Sequence, residues 1–550
     1  MARILLGNRV KYQYKRAHLF LLALLAVVCI SYTAGYSALQ KATATSRRPT
    51  RAGSASSKDS SLRQENPVIP GDFADPSVIR QGKVYYATGT SSEWAPHFPL
   101  FQSTDLLHWQ PMGYVLPKTP DWAAASFWAP ELFYRNGTYY VYYVARRKSD
   151  NVSCIGVATA SNPAQGFTDR GIVLAYGKEA IDPFVLEENG QLYITWKAYG
   201  LDQRPIELLG SRLSADGLRV EGEPFTLLRD DAKKGIEGQC LVRHGGYYYL
   251  LYSLGACCGR NCSYQVEVAR SATLRGPYTR FDSNPILTTT PEWKCTGHGT
   301  IVTSEEGKDY YLYHAYSKTA DVYTGRQGML GEVRWNESTG WPTIQPLGSA
   351  AAPVQSFRDE FAEKTLADAW QWDFRHSQPT WQVANGALSL SGRPTADNLT
   401  GTALTIRPLT GSYTLTTEVA SRNAALKGLV LYGDAGQAVG VGVRNNTVEV
   451  WEVKDKKRTV VRDAEMKGRR PVQLKMTVQN GYQCRFFWRS SGKQWNELPT
   501  GSSFYNGDFL PPGTVAPGPA YSTRAAKQTR PFSAFSSLPI NNPCAPELKL

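Results

Sequence analysis

Beyond residue 64 the chain has almost no excess charge. The whole carries +14, but eleven Lys and Arg against a single acid fall within positions 1–64, which accounts for +10 and leaves +4 for the rest. A nearly neutral body has no electrostatic footprint for a phosphate backbone, and this excludes a nucleic-acid partner. Zinc-type spacing is missing too: nine cysteines are present, none in a paired CxxC, and no HxxxH accompanies them. Long apolar runs are equally scarce. The one at the N-terminus, LFLLALLAVVCI from Leu19 to Ile30, follows five basic residues within positions 1–16, the layout of an export signal. With Ser31 to Leu39 the weakly apolar stretch approaches membrane-spanning length. Residues 1–39 therefore read as a signal peptide or a membrane anchor, and the protein as extracytoplasmic, secreted or N-terminally anchored.

Export frees the other cysteines to pair. Cys257, Cys258 and Cys262 crowd one loop, ACCGRNCSY, with Cys240 and Cys295 on neighbouring segments; the connectivity stays open. With 42% hydrophobic and 20% charged residues the chain is globular, and 550 residues exceed one ordinary domain. Gly 48, Pro 33 and Tyr 31 favour turns and strands. Residues 40–65 are polar and small without periodicity, a disordered linker. Residues 505–550, rich in Pro, Ser, Gly and Ala, read as a disordered tail.

An internal repeat sets the architecture. Five segments share one template: ADPSVIRQGKVYYATG, APELFYRNGTYYVYYVA, IDPFVLEENGQLYITWKA, EGQCLVRHGGYYYLLYS and GHGTIVTSEEGKDYYLYHAY. In each, a polar residue opens an apolar strand, a Gly turn follows, and an aromatic-rich strand returns. Aligned on the opening polar residue, they give Asp75, Glu131, Asp182, Glu237 and His298, at separations of 56, 51, 55 and 61. Roughly 40 to 60 residues make a four-stranded propeller blade. The fold class is thus all-β: a five-bladed β-propeller over 66–350, then, from runs such as YTLTTEV, AVGVGV and NTVEVWEV, a β-sandwich over 355–500. Inner strands line a propeller's channel, so the opening residues face one pocket.

Converging carboxylates meet the needs of glycoside hydrolysis, in which one acid protonates the leaving oxygen and another carboxylate activates water or attacks carbon. The donor must stay protonated near neutral pH. Glu237, between Ile236 and Gly238, has the least polar sequence neighbourhood of the candidates. Singly, an acid before Pro equally well caps a turn.

The motifs NPVIPGDFADPSVI, SFWAPEL, AIDPFV, GIEGQ, GHGTIV, GRQ and GWP, in this order and at blade spacing, resemble glycoside hydrolase family 43. That resemblance implies an inverting hydrolase with Asp75 as general base, Glu237 as general acid and Asp182 tuning the acid. It implies that Arg326 approaches substrate and base, and that His298 lies beneath the pocket, where in some relatives it helps hold calcium through water. No cofactor is otherwise required. Glu131 keeps a structural role. Trp128 and Trp94 are candidate sugar-stacking residues. The second domain resembles the concanavalin-like sandwich of β-xylosidases and arabinofuranosidases, in which a loop shortens the pocket. The expected substrate is an arabinose- or xylose-containing oligo- or polysaccharide, cleaved as by an exo-acting α-L-arabinofuranosidase or β-D-xylosidase; endo-1,5-α-L-arabinanase and a non-catalytic carbohydrate-binding propeller are the alternatives. Families 32 and 68 are disfavoured because Ala74, Ser77 and Ile181 depart from their Asn-Asp-Pro-Asn and Arg-Asp-Pro contexts.

Overall fold

The computed structural model describes residues 65–549 apart from 199–205, 350–355, 421–422, 468–470, 491, 502, 511–517 and 525–546. The expected signal peptide or anchor over 1–39, and nearly all of the expected linker, lie outside these residues. Among the described residues no helix is long and apolar enough to cross a membrane.

Five four-stranded antiparallel sheets follow one another along the chain. Their innermost strands are Ser77–Gln81, Ala123–Arg135, Ala180–Glu188, Ile236–His244 and Trp293–Thr303, each paired with the next strand in sequence. Alternation inside these hairpins sends Tyr, Leu and Val to the interfaces between blades. Tyr249, Tyr252, Leu250, Leu251, Tyr311 and Tyr313, for example, are buried in one cluster. The ring closes where the start of the domain returns to the last blade: Glu65–Asn66 pairs in parallel with Gly348–Ser349, and Ile69 bridges Gly328. Asn66 fastens the seam, its Oδ1 accepting from Leu330 N (2.8 Å) and its Nδ2 donating to Leu330 O (2.9 Å). Replacing Asn66 with Ala removes the acceptor of Leu330 N, while Leu330 O keeps its bond from Leu347 N, and a loss of about 1–3 kcal/mol in urea unfolding is expected; an unchanged midpoint would show that the Asn66 side chain does not fasten the seam.

The second domain is a sandwich of an eight-stranded and a six-stranded sheet, its core formed by inward residues such as Leu388, Leu390, Val441, Val450, Leu474 and Phe486. Here the expectation of a disordered tail is corrected. Gly518–Arg524 lies between Thr402–Thr405 and Leu426–Asp434, and Glu547–Lys549 lies between Ala387–Pro394 and Tyr413–Val419. Each occupies a slot whose two neighbours would otherwise present unpaired edges, the condition that strand pairing removes. The sandwich therefore extends past residue 500.

Candidate active site

The five inner strands open alike, but not in the register of the sequence alignment. A residue in the left-handed region recurs at the matching place in every blade: Asp75 (φ 51°), Ala129 (φ 41°), Asp182 (φ 55°), Gly238 (φ 58°) and His298 (φ 41°). In the last four blades the ladder register shifts across this point, so each marks a bulge that re-aims the chain into the channel. Four are not glycine, and left-handed backbone at such residues costs of order 1–3 kcal/mol, strain that tends to be held at functional sites. In this register Glu131 is equivalent to Ser77, two places further along, and Glu237 is equivalent to Trp128, one place earlier.

That shift separates the acids. Glu131 does not join the pocket: it is 5% exposed, accepts from Ser77 Oγ at 2.6 Å, and is pushed up to about 8 by burial, which the Ser77 bond only partly offsets. Burial between blades thus favours its neutral form. Asp75, Asp182, Glu237 and His298 come together in the channel, close enough for their charges to act on one another.

Asp75 is held as an anion. Arg326 Nη1 donates to its Oδ1 at 2.8 Å and Thr90 Oγ1 to its Oδ2 at 2.7 Å, with His298 Nδ1 3.5 Å away. Burial alone would raise its pKa, but Arg326 and His298 outweigh it and hold the carboxyl well below the usual range. His314 Nδ1 lies 3.3 Å from Asp75 Oδ1, yet burial and Arg326 drive its pKa far down. The neutral ring accepts from Asp75 N at 3.1 Å, so the contact is not an ion pair. Arg326 is anchored from behind by Asp72 Oδ1, which accepts from its backbone N at 3.0 Å. From the sandwich, Arg407 Nη1 donates to Asp72 O at 2.6 Å.

Around Glu237 the sequence expectation needs correcting. Its neighbours in space are polar, because the packing of adjacent blades brings the end of one hairpin against the start of the next. Lys197 Nζ donates to its Oε2 and Tyr264 OH to its Oε1 at 2.9 Å. Burial would raise Glu237, but Lys197 outweighs it and the pKa falls. Lys197 itself, though burial disfavours its charge, is pushed up to about 12 by Glu237 and Asp182. Asp182 is the carboxyl that rises, to about 6, through burial and then the Glu237 charge, with His298 opposing. Its Oδ2 accepts from Gly238 N at 3.0 Å. Two glycines make the approach possible: a Cβ on Gly238 would lie 2.7 Å from His298 Cγ, and one on Gly297 would lie 2.3 Å from the Tyr264 ring.

Of the two tryptophans, Trp128 occupies the blade position equivalent to Glu237. It is half-buried, with Arg146 over one face and a buried Nε1 that has no partner. Trp94 is not a free platform. It is 7% exposed, stacks edge-on against Tyr432 of the sandwich and pairs with Asp373, because a large apolar ring on this loop gains more by plugging the domain junction. Phe374 packs beside it on His97 and Phe127, and Arg375 reaches Glu93. Among the described residues no group of three or more His, Cys, Asp or Glu could hold a metal ion directly.

Lys197, Tyr264, Thr90 and His314 were not found from the sequence. Lys197 did leave a signal, as the one charge inside the apolar strand QLYITWKA. Its removal is expected to move the alkaline limb of the pH–rate profile. A carboxyl pair with one member pushed up to about 6 retains a proton up to roughly that pH, so kcat/KM should fall above it. In Lys197→Met the cation that depresses Glu237 is gone, burial then raises Glu237, and the limb shifts to higher pH. An unmoved limb would show that the titrating group lies elsewhere.

A five-bladed propeller whose channel gathers an anionic carboxylate, a protonatable carboxyl pair and a buried arginine, with a β-sandwich appended, defines a glycoside hydrolase. Residues 64–342, half of the chain, match the model of Glycosyl hydrolases family 43, and residues 358–509 match the Beta xylosidase C-terminal Concanavalin A-like domain. The chain belongs to glycosyl hydrolase family 43 and is a glycosidase. Among its relatives, the extracellular exo-α-(1→5)-L-arabinofuranosidase ArbA of Cellvibrio japonicus is 30% identical over 313 residues, covering 50% of this chain and 86% of that one. The xylan 1,3-β-xylosidase of a Vibrio species is 26% identical over 351 residues, covering 55% and 63%. In fold, the chain is similar to the GH43 BlXynB protein of Bacillus licheniformis, with a TM-score of 0.72, 22% identity and coverage of 88% and 98%.

Proposed function

We propose that this glycosidase removes single arabinofuranosyl or xylosyl units from the ends of plant hemicellulose or pectin-derived saccharides, with inversion, outside the cytoplasm. The carrying observation is the unequal charge of the three carboxyls. Asp75, fixed as an anion by Arg326 and Thr90, is suited to take a proton from water as its oxygen attacks the anomeric carbon. In the free site Asp182 holds the proton of the pair; once substrate fills the channel that proton passes to Glu237, which gives it to the departing oxygen as the C–O bond breaks. Inversion requires about 6.5–9.5 Å between base and acid, room for that water.

Pentose preference is supported by the relatives named for arabinofuranosidase and xylosidase activity. End-on attack is supported by the sandwich packing on Trp94 and on Phe127, the residue before Trp128. Export is supported by the N-terminal charge and apolar layout and by relatives described as extracellular. The test is release of 4-nitrophenol from its α-L-arabinofuranoside and β-D-xyloside, with NMR of the sugar anomer first formed. Release with an inverted anomer is expected on one or both. No release from either, together with shortening of linear arabinan, would replace this reading with an endo-arabinanase.

A further inference from the structure

We propose that Cys257 and Cys258 are joined in the exported protein as a disulfide between adjacent residues, and that the closed ring forms part of the wall on which the sugar packs. The second half rests on the glycosidase reading of the same pocket.

The two sulfurs lie 2.6 Å apart. That is well inside the ~3.5–4.0 Å at which unbonded heavy atoms rest and near the roughly 2.05 Å of a disulfide. The other cysteines without a disulfide among the described residues, Cys154, Cys240 and Cys484, are buried, whereas Cys257 and Cys258 are half-exposed. Their loop stands over the chemistry. It leaves the strand Tyr247–Leu254, whose Ser253 pairs with Glu237, and it ends at Tyr264, whose hydroxyl binds Glu237. The loop is closed on itself by Ala256 N to Ser263 Oγ and Ser263 N to Ala256 O. It is tied to the start of the next blade by the disulfide Cys262–Cys295. Glu237, Arg326 and Asp75 act electrostatically on one or both thiols, which places the pair at the pocket rather than on the outer surface.

Left reduced, the pair is a poor sugar wall. The bond from Cys257 draws Cys258 down to about 7, against burial, so a thiolate would form beside Asp75 and Glu237. Closing the bridge removes that charge and leaves two sulfurs without protons, a surface suited to the C–H face of a pentose. The chemistry balances by exchange with a small-molecule disulfide of an oxidising compartment. Cys258 thiolate attacks the disulfide and releases one thiolate; Cys257, losing its proton, attacks the mixed disulfide and releases the second. One external disulfide is reduced to two thiols and one internal bond forms. Adjacent Cα atoms are only ~3.8 Å apart, below the usual span of a disulfide, which makes such a bridge easier to reduce than ordinary ones.

The test uses full-length protein recovered from an oxidising compartment, denatured in iodoacetamide without reductant and digested for mass spectrometry. The Cys257–Cys258 peptide is expected unalkylated and lighter by two hydrogens; alkylation of both thiols would overturn the bond. The double variant Cys257→Ser/Cys258→Ser is expected to raise KM for the aryl pentoside about tenfold or more, with a smaller effect on kcat, and to weaken calorimetric binding of the free pentose. A present bond with KM and pentose binding unchanged would overturn the wall. Wild-type protein that releases no pentose would fail the glycosidase reading alone, since the mass still decides the bond and calorimetry the wall.

Discussion

Replacing Asp75 with Asn is expected to lower kcat on aryl pentosides by ~10²–10⁴-fold, the range for loss of a positioned acid or base. It is also expected to destabilise the protein by about 3–5 kcal/mol, because Arg326 would be left as a buried cation without its anion. Arg326 is 3% exposed and its Nη1 lies 2.8 Å from Asp75 Oδ1. Asn is the informative substitution. It adopts left-handed backbone and caps turns about as well as Asp, so the geometry at φ 51° survives while the charge does not. A residue that only capped the turn would lose almost nothing, and activity within a few fold of wild type would remove Asp75 from the chemistry. The stability difference has a defined pH sign. The folded pKa of Asp75 is depressed, so its contribution is present above the unfolded value of roughly 3.9 and is lost as pH falls through the folded one. Urea unfolding at successively lower pH should show wild type and variant converging below about pH 4.

Much of the fold was legible because a propeller repeats its local physics. Each blade must make a Gly-turned hairpin with an aromatic return strand, and that pattern survives in the sequence five times. The register within the repeat was not legible. Asp75, Ala129, Asp182, Gly238 and His298 share a backbone conformation and no side-chain type, so aligning polar residues displaced two blades, by two places at Glu131 and one at Glu237. Side chains brought in from other strands and loops were also hidden. Lys197 opposes Ile181 across the ladder, and Tyr264 enters because Gly297 leaves space for it. Neither relation has a sequence signature. The depressed Glu237 is the consequence: its sequence neighbours Ile236 and Gly238 suggested an apolar site, while its spatial neighbours are a cation and a phenol. The last strands of the sandwich were missed for a similar reason, since short segments in a Pro-rich tail acquire strand structure only from the neighbours they join.

Glu237→Ala is expected to separate substrates by leaving group. Hydrolysis of an oligosaccharide, whose departing alkoxide needs a proton, should fall by ~10²–10⁴-fold. Aryl pentosides with an acidic phenol should lose far less, because that oxygen departs without protonation. The comparison with Asp182→Ala makes the result decisive. In the free site the proton of the pair resides on Asp182, pushed up to about 6 by burial and the Glu237 charge, while Lys197 and Tyr264 favour ionised Glu237. Donation by Glu237 therefore requires the pair to hand its proton over once substrate occupies the channel, and Asp182→Ala should then slow both substrates alike by disturbing that proton without removing the donor. If the steep dependence on leaving group appears instead in Asp182→Ala and is absent from Glu237→Ala, Asp182 is the proton donor and Glu237 the group that holds it protonated, with Lys197 as counter-charge. Rate constants for both variants across a series of phenols of graded acidity distinguish the two arrangements, since the slope against leaving-group pKa steepens only when the donor is lost.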